Sequence, residues 1–91
     1  HALEQMPSSA VTWYALGAVR HQAGQTARAI EALERAVVLS PAHPRYRIDL
    51  GIALASAGRR AEAAVQWREV LKVEPGNEEA RPLRREGAPG P

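Results

Sequence analysis

The sequence predicts an all-α fold of paired antiparallel helices, and three observations carry that prediction. The 91-residue chain matches itself, with no gap, when displaced by the spacing that separates Leu16 from Leu50. Ala, Leu, Glu, Arg and Val dominate the composition, while strand-favouring residues are thin and the aromatics are only Trp13, Tyr14, Tyr46 and Trp67. Helix breakers recur at that same spacing: Gly24 with Gly58, and Pro41 with Pro75. A chain of this length is one domain at most. It has no Cys, so neither a disulfide nor a thiolate metal site supports its core.

The repeat pairs Leu16 with Leu50, Gly17 with Gly51, Ala23-Gly24 with Ala57-Gly58, Ala27 with Ala61, Ala29 with Ala63 and Pro41 with Pro75. The Ala matches are cheap in so Ala-rich a chain; the Leu-Gly, second Gly and Pro matches are not. The first helix is predicted from Ser9 to Gln22, capped by Ser8 or Ser9 and ended by Gly24 in a left-handed turn. The second runs from Thr26 to Leu39, with Ala29, Ile30, Leu33, Ala36 and Val37 as its apolar face, and Pro41 stops it. The third runs from Pro44, placed in its first turn, to Ser56. The fourth covers Ala61 to Val73, with Val65, Trp67, Val70 and Leu71 available for burial. Glu31 and Arg35 are expected to pair at i,i+4 on the outer face. Gly17 is expected to meet Ala29 where the first two helices cross, and Ala32 to be exposed.

These residues reach a known pattern. Trp13-x-x-Leu16-Gly17, Ala29-x-x-x-Leu33, Ala36 and Pro41 resemble the tetratricopeptide repeat W-x2-L-G-x2-Y…A-x3-F…P, whose period is about 34 residues. The second copy is weaker, with Arg47, Leu54, Trp67 and Val70 where Trp, Tyr, Phe and Ala are usual; Arg20 replaces the Tyr of the first. The resemblance implies a short right-handed superhelix, an α-solenoid. Its parts are the end of a preceding repeat and a linker over 1–9, repeats over 10–43 and 44–77, a closing helix over 78–86 capped by Asn77, and a disordered tail over 87–91. Each such hairpin needs a neighbour to cover its apolar face. The leading residues Ala2, Leu3 and Met6 therefore suggest self-association through an exposed repeat end.

Chemistry is sparse. No Ser lies in a nucleophile elbow, no phosphate loop is present, and His1, His21 and His43 are not at ligand spacing. No catalytic residue, cofactor or metal is expected, and the chain reads as no enzyme. A net charge of +2 argues against a nucleic-acid binder, and the Arg81, Arg84, Arg85 cluster reads as a solvated helix face. No apolar run is long enough to span a membrane. The compartment is open, with a cytoplasmic location the default expectation.

The resemblance places the first helix of each pair on a concave groove. The inward positions are then Val11, Tyr14, Ala18 and His21 on the first helix, and Arg45, Ile48, Asp49, Ile52 and Ser56 on the third. Tyr14, Ile48 and Ile52 form an expected apolar strip flanked by Arg45 and Asp49. Tyr14 and Ala18 stand where relatives that clamp a terminal carboxylate carry Lys and Asn, so that clamp is not expected. The function this implies is a scaffold or adaptor that holds a protein or peptide partner in the groove. The rival expectation is a docking or dimerisation appendage of a larger enzyme, such as a glycosyl- or sulfotransferase.

Overall fold

The computed structural model describes residues 9–80. Four helices follow in order: α1 (Ala10–Gln22), α2 (Thr26–Leu39), α3 (Pro44–Ser56) and α4 (Arg60–Val73), then a 3-10 turn over Glu78–Ala80. Among the described residues there is no strand. The predicted bounds of these four helices are met to within a residue, while the expected closing helix over 78–86 lies outside the described residues beyond Ala80. The expectations for His1–Gln5, for Ala2, Leu3 and Met6, for Arg81, Arg84 and Arg85, and for the tail at 87–91 lie outside the described residues.

The chain turns identically in both hairpins because the same residues stand at both turns. Gly24 and Gly58 each adopt φ 82°. That left-handed conformation lets the Gln25 amide donate to the Arg20 carbonyl and the Arg59 amide to the Leu54 carbonyl, both at 2.8 Å. These are the 6→1 bonds of a Schellman motif, which Gly accommodates without a Cβ penalty. Ser9 occupies the cap of α1 but makes no side-chain capping bond. Asn77 does cap: its Oδ1 accepts from the Ala80 amide at 3.0 Å.

Packing follows the hairpins. α1 lies on α2 and α3 on α4, and a smaller contact between α2 and α3 joins the pairs. Ala29, Ala32, Ala36, Ala53 and Ala63 are wholly buried. Small side chains at these points let helix backbones approach closely. Two helical glycines stand where a side chain has no room. A Cβ on Gly17 would lie 2.7 Å from Leu33 Cγ and 2.8 Å from its Cδ2, with the Ala29 carbonyl oxygen at 3.3 Å. A Cβ on Gly51 would lie 2.2 Å from Trp67 Nε1. Leu33 and Trp67 are themselves one repeat period apart, so each hairpin repeats one device, a bare stretch of one helix filled by a large side chain from the other. The Trp67 ring is further held by its N–H, which donates to the Ile48 carbonyl at 3.3 Å.

Other departures compensate one another. Where Trp13 stands in α1, the Arg35 guanidinium lies over its ring, 5.6 Å from the centroid. Arg47, the counterpart of Trp13, instead donates to the Pro41 carbonyl at 2.8 Å and to Gln66 Oε1 at 2.9 Å.

Three expectations are corrected. Ala32 is 0% exposed rather than a surface position, because α2 packs on both α1 and α3 and so has two buried sides. Val65 is 45% exposed, on a side of α4 that α3 does not cover. Arg35 sits over Trp13, and among the described ion pairs there is none between it and Glu31.

The glycine contacts fix an order of stabilities. Overpacking costs about 1–3 kcal/mol, while Ala in place of helical Gly gains roughly 0.5–1 kcal/mol. Gly51→Ala faces a rigid, hydrogen-bonded indole and is expected to lose about 1–2 kcal/mol net. Gly17→Ala meets Cγ and Cδ2 of Leu33, an aliphatic side chain that no hydrogen bond holds, and should lose less. Gly76→Ala meets nothing within 4 Å and should be near neutral. Urea unfolding of the three variants side by side checks the order; Gly51→Ala as stable as Gly76→Ala would contradict it.

Candidate functional site

α1 and α3 lie side by side and form one wall of the molecule. Between them is a cavity of about 330 Å³, lined by Tyr14, Ala18, His21 and Gln22 from α1, Asp49 and Ile52 from α3, and Leu33 from α2 below. Tyr14, Ala18 and His21 share a face because they are spaced by four and three residues along a helix. Ala18 and Ile52 occupy the same register position in successive units. Ile52 is 43% exposed although large and apolar.

One rim of the cavity is a chain of polar contacts. The Tyr14 hydroxyl donates to Asp49 Oδ2. Arg45 Nη1 donates to the other oxygen, Oδ1, at 3.2 Å. Arg45 Nη2 then donates to Glu79 Oε1. The chain therefore runs from α1 across α3 to the 78–80 turn, with neighbouring carboxylate and guanidinium groups neutralising each other. Beneath it, the Tyr14 and Tyr46 rings lie 4.9 Å apart and tilted by 30°, and His43 stacks on Tyr46 at 3.7 Å.

Five of the nine expected groove residues line the cavity: Tyr14, Ala18, His21, Asp49 and Ile52. Arg45 stands beside it through its bond to Asp49. Val11 is 64% exposed on α1 and Ser56 is exposed at the end of α3, but neither lines the cavity. Ile48 is a correction. It is 1% exposed, a core residue that no partner can touch. It holds the register position of Tyr14, but α3 has a hairpin before it and α4 with the 78–80 turn after it, so this side is covered. Leu33, Gln22 and Glu79 are not among the expected site residues. The repeat itself marks Glu79: it stands one full period after Arg45, and such positions fall side by side on successive units.

Among the described residues no group of three or more His, Cys, Asp or Glu could hold a metal ion. No described helix is long and apolar enough to cross a membrane.

Burial, then the hydrogen bond to Asp49 and that carboxylate's charge, push the Tyr14 phenol up to about 12. All three oppose a negative charge on the ring oxygen. Because this value lies above the unfolded value near 10, the stability that the protonated phenol contributes is complete below about pH 10. It is lost as pH rises through about 12. Tyrosinate absorbance of the parent minus that of Tyr14→Phe should show this late ionisation, and Asp49→Asn should bring it part of the way back. Ionisation of Tyr14 near its unfolded value in the folded parent would contradict the contact.

With this geometry in place, comparison with known proteins is informative. The tetratricopeptide-repeat family model matches residues 20–86, well over half of the chain. The TPR repeat-containing thioredoxin TTL4 of Arabidopsis thaliana is 37% identical over 59 residues, which span 65% of this chain and 9% of that protein. Among solved structures, the chain superposes on the crystal structure of MamA with a TM-score of 0.81 and 28% identity, over 88% of this chain and 48% of that one. A second MamA crystal structure gives 0.80 and 28%, over 88% and 45%. The chain thus spans under half the length of these three matched chains. The repeat period, the glycine-notched hairpins and the family match agree, and the chain belongs to the tetratricopeptide-repeat family of protein-interaction modules.

Proposed function

We propose that this module, with repeat units over 10–43 and 44–77, is a scaffold that holds an extended or helical segment of a partner protein against the α1–α3 wall. The observation that carries the reading is the cavity between those helices, where Ile52 stays 43% exposed beside Ala18 although the rest of α3 supplies a well-buried core. A concave site with an apolar floor and a few fixed polar groups is the usual form of a binding site. Its lining offers hydrogen-bonding groups and apolar surface together, as recognition requires.

A second reading has one observation in its favour. The plant relative's name joins the repeats to a thioredoxin, and the match covers 9% of that protein. By that reading the module docks or dimerises a larger enzyme, and self-association through exposed repeat ends becomes part of its role. The full length of the natural gene separates the two readings, since only the second requires an enzyme domain in the same chain.

Affinity capture tests the groove. The paired baits are the parent and a His21→Ala, Ile52→Glu variant, both substitutions lying on the cavity wall and outside the core. Proteins held by the parent should be lost from the variant while its helical circular dichroism is unchanged. Equal recovery on both baits would place binding elsewhere on the molecule.

A further inference from the structure

The cavity has a floor, a gap and two rims, and these define what fits. Leu33, 2% exposed, closes it from below. The gap exists because Ala18 stands on α1 where its register counterpart on α3 is Ile52. A larger residue at 18 would meet the exposed face of Ile52 and fill the space. One rim is the Tyr14–Asp49 pair and the other is His21 with Gln22. Along the first rim the charges are already partnered: Asp49 by Tyr14 and Arg45, and Arg45 by Glu79. Those charges neutralise one another at a partly exposed rim, so a further ion pair adds little there. Contact with Ala18 and Ile52, over a floor that Leu33 closes, is what the cavity offers. Its volume of about 330 Å³ is at the low end of the roughly 300–1,000 Å³ range of ligand pockets, which suits a side chain of a peptide rather than a large cofactor.

We infer that the partner segment inserts one aliphatic anchor, of the Leu, Ile or Met class, between Ala18 and Ile52, with its flanking backbone amides hydrogen-bonded at the two rims. This rests on the groove reading above and adds the chemistry of the ligand to it. Ala18 is the residue that sets specificity, and Ala18→Ile closes the site with little strain, since the fold already carries Ile at the counterpart position on α3.

The experiment uses a display library of random dodecapeptides, selected on the parent protein. Selected peptides should share an aliphatic residue at one position and no acidic run. Replacing that residue by Ala in the peptide, or Ala18 by Ile in the protein, should each weaken binding about tenfold or more. Ala18→Ile should keep the parent's helical signal and unfold in a transition close to the parent's. If the peptides bind Ala18→Ile as tightly as the parent but lose affinity for Ile52→Glu, the anchor is wrong and the groove reading stands. If binding ignores both variants, or no peptide is recovered, the anchor and the groove reading fail together.

Discussion

The fold depends on a single steric device used twice. In each hairpin the first helix is left bare at one residue, and the second helix fills that notch with its largest side chain at the crossing. Gly17 receives Leu33, and Gly51 receives Trp67. Tetrahedral geometry leaves no alternative. A Cβ at either glycine would overlap atoms that give the hairpin its core, so the helices would have to separate and forfeit dispersion contacts along their length. The alanines at 29, 32, 36, 53 and 63, all fully buried, are the continuation of that requirement. The notch sets how close the helices lie, and Ala elsewhere along the crossings allows it.

The same contact builds the site. Leu33 is seated by Gly17 and then forms the floor of the cavity between α1 and α3. Trp67, seated by Gly51, fixes α3 through the Ile48 carbonyl, and α3 presents Asp49 and Ile52 on its outer side. Binding surface and core therefore share elements, and the wall is held by the packing beneath it rather than by a mobile loop. The polar chain from Tyr14 to Glu79 adds a second tie across successive units. Its ion pairs are partly exposed and individually of small value. Their effect is to fix orientation and to leave the rim without an unpaired charge.

Much of this is legible in the sequence because turn chemistry is local. Gly24 and Gly58 announce left-handed caps, Pro41 ends a helix, Pro44 begins one, and the constant offset predicts that the second hairpin repeats the first. Five cavity residues follow from the concave groove that the family resemblance implies, applied to α1 and α3. The side of a doubly packed helix that faces solvent is not legible in this way. Ile48 and Ile52 are one turn apart and chemically identical, yet one is 1% exposed and the other 43%. α3 packs on α2 on one side and on α4 on the other, its apolar residues surround it, and no amphipathic stripe separates core from wall. Burial of Ala32 escapes the sequence for the same reason on α2. Glu79 stands one period after Arg45, so the repeat marks its place, but that the two side chains meet follows only from the stacking of the units.

The Gly51–Trp67 contact is steric and specific, and a double-mutant cycle on stability measures it. Trp67→Val removes the three indole atoms that a Cβ at 51 would strike. Gly51→Ala should be destabilising in the parent but neutral or mildly stabilising in the Trp67→Val background, where only the helix-propensity gain remains. The coupling should be about 1–3 kcal/mol, within the range for residues in direct contact. Additivity of the two substitutions to within roughly 0.5 kcal/mol would show that the helices do not depend on this notch, and would contradict the account of the fold and of the wall built on it.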